Sequence, residues 1–445
     1  MHKSTIILGV TLALSLFGGC DVHRPITSVT QSVDSDLNYE QKETVQSTPR
    51  DTVIAPEPTL TKSFLEVNIQ RSKDLLETQC LSATQSVLPK QEFSQGIFVT
   101  RRNTPYIYDL NHNTQRELQT PSVIAGEDYF VSPDGKWLAY QDYQEQEGKR
   151  YLLVAPITNL QNSLLKPSYK WSHPNEFYVQ GWFSENTILL TRWAGEKEYP
   201  TARISTVILN PFKDEEKEFN LEDYPNYLQY KTGGVGSYLF GHTNLLPNPK
   251  LTHMVYPEHS EHMFYVTLWD QVRGKAIVKL DFFHESITND PLWAQDGKDF
   301  LIKNPGLDPK DGIEWFQVTI AGDVRQLTHF GMFQDKGFFN QASRSWDGKY
   351  LAFKWEYPRG EIPENRIAKY FVIDLEAPEL EGFCIDALPF AGGELPPPVW
   401  SIDSRYLVIS NSNNGLGNLI LVEVEKGRAY QIAKDVIARG WVAIP

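Results

Sequence analysis

An all-β ring, a single β-propeller of seven blades with six as the alternative, is the fold class that this 445-residue sequence predicts. Three observations predict it. One turn motif recurs along the chain, its copies stand one blade's length apart, and the two chain ends read as complementary parts of one further blade.

The turn comes first at Ser132-Pro133-Asp134-Gly135-Lys136, ahead of the alternating run Trp137-Leu138-Ala139-Tyr140. It returns at Asp296-Gly297-Lys298, at Ser345-Trp346-Asp347-Gly348-Lys349 and, without glycine, at Ser401-Ile402-Asp403-Ser404-Arg405. Glycine accepts φ > 0 and an Asp carboxylate can take nearby backbone N–H groups, so each copy marks a hairpin. Two weaker copies center on Asn186 and Asn248. Read in one register, Asp134, Asn186, Asn248, Asp296, Asp347 and Asp403 step by about 50 to 60 residues, the length of a four-stranded blade. These turn residues are expected to be structural.

The first full repeat sets the pattern: an inner strand over 127–132, a second over 136–141, a third over 151–156 and an outer one over 164–169. The same outline fits residues 178–220, 237–283, 290–328, 340–388 and 396–434. The ends supply the seventh blade. Residues 439–445 read as an inner strand, while 97–100, 105–108 and 116–118 read as second, third and outer strands lacking one. Pairing the C-terminal strand with the N-terminal blade closes the ring and removes a large open edge.

Trp400-Ser401-Ile402-Asp403, Ser345-Trp346-Asp347-Gly348-Lys349 and Ser132-Pro133-Asp134-Gly135-Lys136 resemble the signature turn of the TolB-like, WD-repeat-like propeller family. The resemblance covers residues 96–445. It implies the fold and assigns no active site, because the turn is a structural device in that family.

Aromatics at 12% and charged residues at 22% suit a packed globular body. The formal net charge of −14 repels polyanions, so nucleic acid is not an expected partner.

Residues 1–19 read as an export signal: Lys3, then a 13-residue apolar run from Thr5 to Phe17, too short to span a bilayer. The sequence Leu16-Phe17-Gly18-Gly19-Cys20 resembles the bacterial lipobox, which implies cleavage before Cys20 and its acylation (palmitate among the chains). Asp21 resembles the signal that retains such lipoproteins at the inner membrane, and equally fits the start of a polar linker. Residues 20–60 are polar and read as a disordered tether with a coil reach of about 35 Å. Residues 61–95 are expected to pack on the propeller through one helix, near 63–80, with Ser63 as N-cap, Glu66 reaching back, and Leu65, Ile69, Leu76 and Cys80 on one face. Acylation of Cys20 leaves Cys80 and Cys384 as an even pair in an oxidising compartment. A disulfide from the helix to an outer strand of the sixth repeat is then expected, with two separate buried thiols as the alternative.

No Gly-x-Ser-x-Gly elbow, Walker loop or His-Glu-x-x-His motif is present. The glycines 233, 234 and 236 lack the lysine of a phosphate cradle. His253, Glu258, His259, Glu261 and His262 form the densest His/carboxylate set, but they read as a hairpin tip with solvated side chains on alternating faces. No metal, cofactor or catalytic residue is therefore assigned. The loops 192–201, 355–366 and 411–418, with Phe333, Phe338, Phe339 and Phe390, are candidate contact surfaces on a rigid frame. The expectation is a lipid-anchored, monomeric, extracytoplasmic module that binds a protein or glycan of the cell envelope. The alternative is an envelope enzyme, a lyase or hydrolase acting on a saccharide or peptide.

Overall fold

The computed structural model describes most of residues 62–443. Outside it lie 1–61, 84–87, 89–92, 102–103, 120–128, 145–146, 158–163, 175, 195–202, 221–222, 226–244, 261–262, 283–290, 307–311, 335–336, 358–366, 389–395, 413–416 and 444–445.

Seven antiparallel four-stranded sheets make up the body, a seven-bladed β-propeller. Blade 1 is shared by the chain ends: β28 (Ile437–Ala443) is its inner strand and pairs with β1 (Gln95–Arg101), from Gln95↔Ala443 to Thr100↔Ile437. β2 (Thr104–Asp109) and β3 (Thr114–Glu117) complete it. Blade 2 runs outward as β4 (Tyr129–Val131), β5 (Trp137–Gln144), β6 (Lys149–Pro156) and β7 (Tyr169–Trp171). Blades 3 to 7 repeat this order over 177–220, 246–282, 292–326, 338–387 and 399–434. The outer strand of blade 2 starts at Tyr169, where 164–169 was expected. Pro167 has no N–H to give to a ladder, and Leu164 instead bridges Gln119 of blade 1.

The alternation along β5 builds two interfaces at once. Leu138 and Tyr140 pack toward blade 1 with Phe98 and Val442, while Ala139 packs toward blade 3 with Val179 and Leu190. All of these are buried, and at about 25 cal/mol per Å2 such faces supply most of the driving force for folding. Each blade is thus a wedge that is apolar on both sides, and only a closed ring covers both.

Tryptophans fasten blade to blade. Among the described residues, indole Nε1 donates to a carbonyl of the preceding inner strand four times: Trp182 to Phe130 (2.9 Å), Trp293 to Leu246 (3.1 Å), Trp400 to Ser343 (3.3 Å) and Trp441 to Val399 (3.0 Å). The last of these joins blade 1 to blade 7, so the seam between the chain ends carries the same fastening as interior junctions. On its other side, toward blade 2, β28 packs just as closely: a Cβ on Gly440 would meet Val131 Cβ at 2.4 Å.

Outside the ring lies helix α1 (Lys62–Glu77). It begins one residue before Ser63, so Ser63 sits inside its first turn and not at the N-cap. It ends three residues short of Cys80, because the chain must straighten for Leu81 to pair with blade 6: Leu81 N donates to Cys384 O and Asp386 N to Leu81 O. The buried face is Asn68, Ser72, Leu75 and Leu76, with Leu65 and Ile69 half-buried. Two polar residues are tolerated on it because they accept orphan backbone donors, Leu380 N on Asn68 Oδ1 and His329 N on Ser72 Oγ. Cys80 and Cys384 are joined by a disulfide across 304 residues. Cys384 lies on β23 (Glu381–Ala387), the outer strand of blade 6.

Candidate functional site

The turn residues build one face of the ring. Ser132 Oγ donates to Asp134 Oδ1 (2.6 Å) and accepts from Trp137 N (2.9 Å), while Asp134 Oδ1 takes Lys136 N (3.2 Å). The Ser345–Asp347 and Ser401–Asp403 turns repeat this to within a few tenths of an ångström. Gly135, Gly297 and Gly348 take φ between 69° and 79° at the fourth position, and Ser404 takes φ 58° there. With Ala294 in the serine place, the Asp296 turn keeps only the aspartate's bond to Lys298 N (3.0 Å).

The two asparagine copies differ from the expected register. Asn248 stands where the other turns have serine: its N–H donates to His253 O, its C=O accepts from Leu251 N, and Leu251 takes the φ > 0 position. Its Oδ1 accepts from Thr252 N (2.8 Å) and His253 N (3.0 Å), so one asparagine does the work of serine and aspartate together. In blade 3, Ser184 pairs directly with Thr187, which leaves a two-residue turn at Glu185-Asn186.

Of the other residues singled out by sequence, Glu258 is buried and held by Lys279 Nζ (2.6 Å) and Thr267 Oγ1 (2.7 Å). His253 is half-buried on β13 (His253–Ser260), an odd number of residues from Glu258 and so on the opposite face of the strand. Glu261, His262, Phe390, the glycines 233, 234 and 236 and most of the loops 192–201, 355–366 and 411–418 lie outside the described residues. Trp355 and Phe339 are buried in the aromatic core between blades 5 and 6, whereas Phe333 and Phe338 are exposed.

What the structure brings together is a cleft of about 310 Å3 between blades 5 and 6, on the turn face. Three stretches converge on it: the turn of blade 5 (Gln295, Asp296, Asp299), the turn of blade 6 (Arg344, Trp346, Asp347) and the connection between the outer two strands of blade 6 (Glu376). Arg344 forms the floor. Its side chain is 7% exposed, ion-paired to Asp299 at 2.6 Å, with Nε and Nη2 donating to Gly348 O at 3.2 and 3.1 Å. Asp296 stands at the rim with Lys298 Nζ on its Oδ2 (2.7 Å), and hydrogen bonding to Lys298 holds its carboxyl below the usual range despite some burial.

Deeper in the same junction Lys303 is buried. Its Nζ donates to Phe339 O at 2.9 Å and lies 6.0 Å from the Trp315 ring, and burial pushes its pKa down to about 7. Nothing in the sequence marks this lysine, which sits in an ordinary alternating strand. The cleft was equally hidden, because its walls are far apart in the chain.

No protein-family model and no curated protein matches this chain. Solved structures similar to it include TolB from Acinetobacter baumannii, at 12% identity over 78% of this chain and 82% of that one, with a TM-score of 0.41. The periplasmic gluconolactonase of Pseudomonas aeruginosa aligns at 13% identity over 79% and 99% of the two chains, with a TM-score of 0.46. The β-propeller domain of the Trilobed protease from Pyrococcus furiosus aligns at 13% identity over 80% and 98%, also with a TM-score of 0.46. None of these likenesses assigns an activity.

Proposed function

We propose that this chain is a binding module: a β-propeller held outside the cytoplasm by acyl chains on Cys20, lifted from the membrane by residues 20–60, and presenting its turn face to a protein of the cell envelope. The observation that carries the binding reading is the cleft between blades 5 and 6, whose lining is fixed before any ligand arrives. Arg344 is locked by Asp299 and Gly348, and Asp347 by Ser345 and Lys349 N. Side chains already immobilised lose little entropy on binding. The extracytoplasmic reading rests on the short apolar N-terminal run and the lipobox resemblance, and the Cys80–Cys384 bond suits an oxidising compartment. Asp21 supports the inner membrane as the site of anchoring.

The test is site-specific photo-crosslinking of the full chain in intact cells. A photoreactive residue at Gln295 or Glu376 is expected to capture one discrete protein, and the same residue at Tyr143, exposed at the other end of its blade, is expected not to. Equal capture at all three positions, or none, would count against the cleft. Cys20→Ser is expected to move the protein from the membrane to the soluble fraction.

A further inference from the structure

We infer that the face opposite the turns carries a second site, formed by Tyr143, Arg150 and Tyr178 of blades 2 and 3, which takes the carboxylate of an acidic saccharide. The strand register brings the three together. Tyr143, near the end of β5, pairs directly with Arg150, near the start of β6, so both side chains leave the sheet on one face. It is the face on which Leu152 packs toward blade 3. Tyr178, from the inner strand of blade 3 (Phe177–Ser184), meets them there. The Arg150 guanidinium lies over its ring, 4.9 Å from the centroid, and Nη1 donates to Phe177 O at 3.4 Å. Both rings are open to solvent, Tyr143 at 48% and Tyr178 at 40%.

A guanidinium that stacks by its face presents its edge, where its N–H donors lie in a fixed fork. Here one donor is spent on a backbone carbonyl. Among the described residues no carboxylate comes within ion-pairing distance of Arg150, whereas Arg71, Arg192, Arg273 and Arg344 each meet one. Asp142 and Glu147, the described acids nearest to it in sequence, are turned away. Asp142 alternates to the opposite face from Tyr143 and accepts from Gln144 Nε2 at 3.3 Å. Glu147 takes the hydroxyl of Tyr151, which packs toward blade 1. Lys149 adds an exposed cation next to Arg150. In a chain of formal charge −14, a carboxylate can approach here and be met by a planar, bidentate donor. The tyrosines select what carries that carboxylate. A sugar ring has an apolar C–H face to lie on an aromatic ring and hydroxyls to bond a phenol, which suits a side chain with an apolar body and a polar tip. An extended acidic peptide would use the guanidinium and leave the rings uncovered.

The experiment uses the full chain in detergent micelles with fluorescent trigalacturonate, its methyl ester, and a glutamate–glycine octapeptide. Trigalacturonate binding is expected to fall about tenfold on esterification and about tenfold in Arg150→Gln, a loss equivalent to ~1.4 kcal/mol. Tyr143→Ser is expected to weaken it roughly threefold, as for one lost ring contact. Arg150→Lys keeps the charge without the planar fork and is expected to stay within about twofold of Arg150→Gln. Lys149→Gln, one residue away, controls for local charge and is expected to change binding less than about twofold. No binding of trigalacturonate, equal binding of its ester, equal loss in the Lys149 control or full binding by Arg150→Lys overturns the inference. The ester comparison is made on the unaltered chain and stands even if a variant fails to fold. Binding of the octapeptide as tight as that of trigalacturonate, or capture of one discrete protein by a photoreactive residue at Tyr143 in cells, would give the site to a protein ligand and overturn the saccharide assignment. The inference does not depend on the cleft between blades 5 and 6, which lies on the other face.

Discussion

Two places in this ring tie residues from opposite ends of the chain, and they do so by different physics. At the seam of blade 1, β28 and β1 are joined by a ladder running from Gln95↔Ala443 to Thr100↔Ile437, with buried Ile97, Phe98, Trp441 and Val442 around it. At blade 6, α1 is tied by a disulfide, a short parallel bridge at Leu81 and a few side-chain bonds, including Lys369 Nζ to Leu76 O at 2.6 Å. The seam completes a blade whose two faces would otherwise be bare. The clamp adds a helix to a blade that is already complete. A blade needs its fourth strand to bury its wedge faces, whereas the helix contributes mainly a covalent constraint on the unfolded chain.

The sharpest way to break the comparison is to remove each tie in turn. Deleting residues 436–445 takes away the whole inner strand of blade 1 and is expected to abolish the cooperative thermal transition; melting like the full-length chain would show that the seam does not close the ring. Replacing both cysteines by alanine is expected to cost about 2 to 4 kcal/mol in urea unfolding while leaving a cooperative, propeller-like transition. Loss of the transition in the cysteine variant would put the two ties on the same footing.

A smaller effect concerns the buried junction between blades 5 and 6. Lys303 has a folded-state pKa of about 7 against an ordinary 10.5. Between those values the unfolded chain binds more protons than the folded one, so this residue makes stability rise with pH across that window. Its penalty is fully present below pH 7 and is relieved as pH approaches 10.5. Lys303→Met is therefore expected to be more stable than the wild type near pH 7, and that advantage should shrink by roughly 2 to 3 kcal/mol by pH 9. A difference between the two proteins that stays constant with pH would mean the amine is charged in the folded state.

The ring was legible because its turn is chemically demanding and repeats. An Asp accepting two residues downstream and a residue able to take φ > 0 leave a mark that survives when the rest of the blade diverges. The complementary ends at 97–118 and 439–445 were legible for the same reason, as one blade cut in two. The asparagine copies misled the register because Asn248 combines the acceptor roles that serine and aspartate divide elsewhere, so it aligns with Ser132 and not with Asp134. The helix face was only half readable, since Asn68 and Ser72 are buried to satisfy Leu380 N and His329 N, partners more than 250 residues away. The cleft left no local mark at all. Its lining comes from two turns and a connection that acquire a common purpose only when blades 5 and 6 stand side by side.

The path of the chain between the two ties has a mechanical side. Cys80 is bonded to blade 6, and Phe93, just ahead of β1 of blade 1, rests against Tyr406 of blade 7 with ring centroids 5.4 Å apart. Tension applied ahead of residue 62 would therefore be taken up at the sulfur bridge into blade 6. The hydrogen-bonded seam, which could unzip strand from strand under direct load, would feel none of the pull.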